Sequence, residues 1–209
     1  MKTVVWDVDD VLNDLMKAWF AHWVSKQGGV FHLTFDELTI NPPHELLGIG
    51  RSEYLESLDD FRLSGGAAKL QPLSEVFAWF CQNGDSCHNI ALTATPLRTA
   101  PASAEWVMRN FGRWIRSYNL VPSPRETENA GNCHATKAEF LNWWGKADIL
   151  VDDNEENVLG ALSAGIQAVL FPRPWNRSEL SVAETLASLT ELIGAESKRA
   201  GERPVTRFA

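Results

Sequence analysis

Thr3-Val4-Val5-Trp6-Asp7-Val8-Asp9-Asp10-Val11 is the stretch on which the reading of this chain turns. Its first four residues are mostly β-branched or aromatic with no polar alternation, the pattern of a short strand buried on both faces. The run then breaks abruptly into acid. With the chain still extended, the two-residue step from Asp7 to Asp9 puts both side chains on the same side of the backbone. Two further apolar runs end in chemistry: Asn89-Ile90-Ala91-Leu92 in Thr93, and Ile149-Leu150-Val151 in Asp152-Asp153. Ala168-Val169-Leu170-Phe171 reads as a fourth strand.

Helical spacing fills the intervals. Leu15, Trp19 and Trp23, with Met16, Phe20 and Val24 one step over, predict a helix from Asp14 to about Lys26, ended by Gly28-Gly29. Thr34-Phe35-Asp36-Glu37 is a capping box opening a short helix, and helical material follows from Ser52 to Phe61. Further helices are expected at 72–80, 101–115, 136–144 and 155–164, with Trp106, Trp114, Trp143 and Trp144 as helix faces packed on the sheet. Thr136-Lys137-Ala138-Glu139 is a second capping box, so Lys137 lies in a first helical turn, where a cation is disfavoured and needs a reason. Apolar strands alternating with helices imply an α/β fold, a Rossmann-like parallel sheet covered by helices on both faces. Residues 1–13 and 89–194 then form the core, 14–88 a small helical insert after the first strand, and 195–209 a loose tail.

The 209 residues carry a formal charge of −8, with 44% apolar and 22% charged positions. That is an ordinary globular composition. The acid excess argues against a nucleic-acid polymer or an anionic membrane surface as partner. No run of eighteen apolar residues spans a membrane, and Met1-Lys2-Thr3 leads into acid, unlike a secretion signal. Three cysteines, Cys81, Cys87 and Cys133, are an odd number and suggest a reducing, cytoplasmic setting. Cys87-His88 and Cys133-His134 lack zinc-ligand spacing.

Carboxylates gathered at one sheet edge repel one another unless they are protonated, paired with cations or holding a metal. An all-oxygen set suits a hard cation, Mg²⁺ first. Paired acids can divide attack and proton transfer between them, while a Thr hydroxyl and a Lys ammonium hold a substrate anion. The combination fits phosphoryl transfer.

Asp7-Val8-Asp9-Asp10-Val11, Leu92-Thr93, Lys137 and Leu150-Val151-Asp152-Asp153 resemble the four ordered motifs of the haloacid dehalogenase superfamily. The resemblance implies a Mg²⁺-dependent phosphomonoester hydrolase acting on a small phosphorylated metabolite. Asp7 would be the nucleophile that forms an aspartyl-phosphate, and Asp9 the acid and base. Thr93, Ala94 and Lys137 would bind the phosphoryl group. Mg²⁺ would sit on Asp7, the Asp9 carbonyl and Asp152, with Asp153 behind it or sharing the role. The presence of Asp9 points to phosphate chemistry rather than halide displacement. Asp10 stands where the family often has Gly, and Asn157 where some members place another acid. Residues 14–88 resemble a cap, in which Trp19, Phe20 and Trp23 are candidates for stacking on a base or sugar as well as for packing. Phe171-Pro172-Arg173-Pro174-Trp175-Asn176, with Thr93-Ala94-Thr95-Pro96, is similar to the deoxyribonucleotidase branch, which implies a nucleoside 5′-monophosphate. The alternatives are a sugar-phosphate phosphatase or phosphomutase and, from another class, a receiver-like phosphorylatable module.

Overall fold

The computed structural model describes residues 1–28, 32–123 and 134–195. Its five strands are β1 (Thr3–Trp6), β2 (His88–Thr95), β3 (Ile115–Pro122), β4 (Ile149–Asp152) and β5 (Gln167–Leu170). They form one sheet in the order β3-β2-β1-β4-β5, with every neighbouring pair parallel. The chain builds outward from β1 through β2 to β3, then returns to the other side of β1 for β4 and β5. The order therefore reverses between β1 and β4, and a crevice opens at the carboxyl ends of strands at such a switch point. Trp6 lies opposite Val151 in register, and the Asp7 amide donates to the Val151 carbonyl at 2.9 Å. The acids following β1 and β4 thus meet because of the strand order. A receiver-type sheet runs 2-1-3-4-5; the order found here excludes that alternative.

Among the described residues seven α-helices accompany the sheet: α1 (Leu15–Lys26), α2 (Arg51–Leu63), α3 (Ser74–Asn83), α4 (Ala100–Phe111), α5 (Lys137–Trp144), α6 (Glu155–Ser163) and α7 (Val182–Gly194). Val4 and Trp6 face one layer, built from Val76 and Phe80 of α3, Val107 and Phe111 of α4, and Leu186 and Leu189 of α7. Val5 faces the other, with Leu141 of α5 and Ala161 of α6. Both sides of β1 are buried, which is why its sequence does not alternate. The Trp6 indole is satisfied inside this core by Asn89 Oδ1 at 2.9 Å.

Helices α1 and α2 form a separate cluster. Trp19, Phe20 and Trp23 pack there with Tyr54, Leu58 and Phe61. Trp19 has no exposed surface, meets Tyr54 edge-on at 5.1 Å, and its indole donates to Ser57 Oγ at 3.2 Å. These aromatics are therefore packing residues and form no open platform for a base. The third helix of the insert, α3, belongs to the sheet's core instead. Entry and exit of the α1–α2 segment are pinned together: Asn13 bridges Pro72, and the Leu73 amide donates to the Leu12 carbonyl at 3.0 Å.

Several sequence expectations need correction. The helix expected to reach 115 ends at Phe111, and Ile115–Pro122 is an edge strand. Trp114 consequently sits in the turn between them, half-buried against Phe77 and Phe80, while Trp143 is 67% exposed and packs on no sheet. Helix α7 was not expected from the sequence, although Ser181 and Glu184 form a full capping box at its start. His88 begins β2, at the end of the strand opposite Thr93, which removes it from any site at the strand tips. Cys133 and the tail from 196 onward lie outside the described residues. Among the described residues no helix is long and apolar enough to cross a membrane.

Replacing Trp19 with Ala should destabilise the protein by about 3–5 kcal/mol, the cost of a large buried aromatic. Urea unfolding measures it; a loss below about 1 kcal/mol would mean that α1 and α2 are not packed as described.

Candidate active site

Lys137 is the hub. Thr136 caps α5, its hydroxyl accepting from the Glu139 amide at 3.1 Å, which places Lys137 in the first turn with its stem in the protein. Its ammonium lies 2.8 Å from Asp7 Oδ1 and 2.7 Å from Asp152 Oδ2. Only 1% of the Lys137 side chain is exposed. Burial works against its charge, but the carboxylates of Asp152 and Asp7 outweigh that and hold the proton above the ordinary lysine range. This resolves the anomaly of a cation at a helix N-terminus: the two acids supply more field than the helix opposes.

Asp7 ends β1. Burial pushes its carboxyl well above the ordinary carboxylate range, and Asp152 and Asp153 add to this, while Lys137 opposes it. The Val8 amide also donates to Asp7 Oδ1, at 2.7 Å. Both contacts fall on one oxygen. Asp152 ends β4, and its Oδ1 accepts from the Asn154 amide and the Asn157 side chain, each at 3.0 Å. Asn157 thus orients Asp152 from the first turn of α6. Asp153 accepts from the Trp175 indole at 2.8 Å, and burial with repulsion from Asp152 and Asp10 pushes it up to about 7.

Asp7, Asp152 and Asp153 converge, each offering an oxygen within 4.8 Å of the others. Three buried oxygen donors, two of them drawn toward protonation, are what a hard divalent cation satisfies. The residues present fit Mg²⁺.

Asp9 behaves differently from its neighbours. Its carboxylate turns to α2, where Arg62 meets it at 2.9 Å. Arg62 also meets Asp59 at 3.1 Å, and Asp59 receives Arg98 at 2.7 Å. Asp59 is wholly buried. Burial opposes the charge of Arg62, but Asp9 and Asp59 raise its proton affinity. Thr93, 1% exposed, and Ala94 line the same cleft of about 260 Å³ as Asp7, Asp9 and Lys137. The strand ends therefore bring together Asp7, Asp9, Thr93, Ala94, Lys137 and Asp153, with Asp152 directly beneath Lys137.

Asp10 has φ +61°, a left-handed conformation that Asp tolerates better than most residues and that Gly adopts freely. This is the reason a Gly-favouring position can hold Asp here. Its carboxylate accepts from the Met16 amide at 2.9 Å at the start of α1, and burial pushes it up to about 7 against the pull of Arg173. Arg173 donates to the Asp10 carbonyl at 2.6 Å and pairs with Asp14 at 2.7 Å. The Asn176 side chain donates to the Asp153 carbonyl at 2.8 Å. The Phe171–Asn176 stretch is thus scaffold, holding the two acidic loops. His134 lies against Trp143 and Phe140. Arg62, Asp59 and Arg98 were not expected from sequence.

No protein-family model matches the sequence, and no curated protein does. Solved structures match over nearly the whole chain. A hydrolase from Streptococcus pneumoniae, the haloacid dehalogenase-like family protein SP0104, aligns at TM-score 0.59 and 15% identity, over 89% of this chain and 90% of that one. The fold is haloacid dehalogenase-like. The Mycobacterium tuberculosis Protein Tyrosine Kinase A, PtkA, aligns at TM-score 0.61 and 17% identity, over 93% and 98% of the two chains. YfnB from Bacillus subtilis, solved bound to magnesium, aligns at 0.56 and 13%, over 93% and 99%. At these identities the likeness establishes the HAD-like architecture and leaves activity to be argued from the site.

Without a cation, Asp153 and Asp10 hold protons up to about pH 7 that an unfolded Asp releases near its ordinary 3.8. The native chain therefore binds more protons in that window, and metal-free stability should fall as pH rises from about 4 to about 7. Thermal melts check this. MgCl₂ should raise Tm more at pH 8 than at pH 5, and Asp153→Asn should flatten the metal-free pH dependence. A Tm that ignores both pH and Mg²⁺ would contradict the cluster as described.

Proposed function

We propose that the protein is a Mg²⁺-dependent phosphomonoesterase that works through an aspartyl-phosphate on Asp7. The observation that carries the reading is the buried Asp7–Lys137–Asp152 bridge at the switch point, with Thr93 and Asp9 on the same cleft. A phosphate dianion entering there finds the Lys137 ammonium and the Thr93 hydroxyl as partners for its oxygens. Oδ1 of Asp7 is engaged by Lys137 and Val8, so Oδ2 is the oxygen left to attack phosphorus. As the Asp7–phosphorus bond forms, the ester P–O bond breaks and the leaving oxygen takes a proton from Asp9. In the second half Asp9 removes a proton from water, whose oxygen attacks phosphorus. The Asp7–phosphorus bond then breaks, releasing inorganic phosphate and restoring the carboxylate. Asp7, Asp152 and Asp153 would hold Mg²⁺, which neutralises phosphoryl charge when bound. The α1–α2 cluster acts as the cap, excluding bulk water while the ester reacts.

The substrate class is a small phosphorylated metabolite. The sequence likeness of Phe171–Asn176 makes nucleoside 5′-monophosphates one arm of any panel, although Arg173, Trp175 and Asn176 are occupied in holding the acidic loops.

Purified protein with Mg²⁺ should release phosphate from members of a phosphate-ester panel, and EDTA should stop it. Asp7→Asn should abolish turnover, and Asp9→Asn should lower kcat by about 10²–10⁴-fold, the usual contribution of a general acid. Full activity in Asp7→Asn, or none on any ester, would overturn the reading.

A further inference from the structure

The Arg98–Asp59–Arg62–Asp9 chain is not accounted for by the reaction above. Asp59 is wholly buried on α2 and receives two guanidinium groups, Arg62 from its own helix and Arg98 from the loop after β2. Arg98 is 44% exposed and shares its charge with water, whereas Arg62 is 12% exposed and lies between Asp59 and a second anion. At rest that anion is Asp9. Yet Asp9 is the group that must turn to the ester oxygen, and it cannot hold Arg62 and serve the leaving group with the same carboxylate. When Asp9 turns away, Arg62 keeps Asp59 and its Nη2 is left facing the cleft, open to a second anion.

From this, and resting on the phosphomonoesterase reading, we infer that Arg62 reads a second anionic group on the substrate, a carboxylate or second phosphate placed within a few atoms of the ester oxygen. In the substrate-free protein Asp9 stands in for that group. The position is right for the task. Arg51, Tyr54, Leu55, Leu58 and Arg62 of α2 all line the cleft. Their spacing puts them on one helical face, with Arg62 at the Asp9 end. The apolar residues between suit a short carbon skeleton, and a guanidinium fork matches a carboxylate or phosphate in two parallel bonds. A void of about 30 Å³, about the volume of one water, adjoins Asp9 and Arg62 and is lined also by Thr99 and Ser103. Asp59 and Arg98 act through Arg62 as positioning residues, tying α2 to the loop that follows Thr93.

Matched ester pairs that differ only in the second anion test this. Suitable pairs are 2-phosphoglycolate against ethyl phosphate, 2-phospholactate against isopropyl phosphate, and propane-1,3-diol bisphosphate against propyl phosphate. The kcat/KM ratio of charged to neutral member should be about 10- to 100-fold or more for the native enzyme, the value of a charge-assisted bond. Arg62→Gln should collapse that ratio toward one, whatever happens to the neutral ester's own rate. Arg62→Lys should keep part of it, and Asp59→Asn should lower it through KM, with circular dichroism confirming a folded variant. The carboxylate and bisphosphate pairs show which anion is preferred. Equal rates within every pair, or a ratio untouched by Arg62→Gln, would overturn the inference and leave the phosphomonoesterase standing. No hydrolysis of any ester, p-nitrophenyl phosphate included, would overturn both.

Discussion

Lys137 is held between Asp7 and Asp152 at 2.8 and 2.7 Å, and most of the site's arrangement follows from that bridge. Three groups this deep are stable only together. Removing the ammonium would leave two carboxylates facing each other in a medium that screens them poorly, a change that costs about 3–5 kcal/mol in comparable buried pairs. The bridge also fixes distances between elements. Asp7 belongs to β1, Asp152 to β4 and Lys137 to the helix that crosses between β3 and β4. One side chain therefore spans the point at which the strand order reverses.

Charge is distributed around the bridge with a consistent logic. The carboxylates that converge, Asp7, Asp152 and Asp153, have one buried cation among them; Asp7 and Asp153 are drawn toward protons, and the three together suit a metal. Asp9, two residues from the first, is turned away and paired with Arg62. Asp10, one further on, is consumed in holding the start of α1 and in facing Arg173. Three acids within four residues thus have three different partners, which no count of negative charge along the chain distinguishes.

Much of this was legible because the sequence broke ordinary preferences. Apolar runs ending in Asp7, Thr93 and Asp152 need a reason for their polar ends, and a lysine in a first helical turn needs one too. Those anomalies located the strand tips and the bridge. Strand β3 gave no such signal: Ile115-Arg116-Ser117-Tyr118 is an edge segment, exposed on part of its length, and it follows a Trp- and Phe-rich helix without a strong break. The Asp59–Arg62–Arg98 network was silent for a different reason. On a helix as charged as Arg51–Leu63, acids and arginines read as a solvated face, and the partner that buries Asp59 lies 39 positions away. Burial of charge is a tertiary fact, visible only once α2 is laid over the strand ends.

The neck at Asn13 and Pro72 has a consequence for assembly. Because the chain leaves and re-enters the sheet domain at one point, joining β1 to α3 does not depend on what lies between them. The intervening residues are a closed excursion whose ends already touch, so their length enters the entropy of closure only logarithmically. A lineage carrying this architecture can therefore lengthen, shorten or exchange the excursion with little penalty to the sheet. What the excursion brings to the strand ends is the Arg62 guanidinium, 2.9 Å from Asp9. Change in that segment is therefore separated, by a single tied neck, from the strands that hold the acidic cluster.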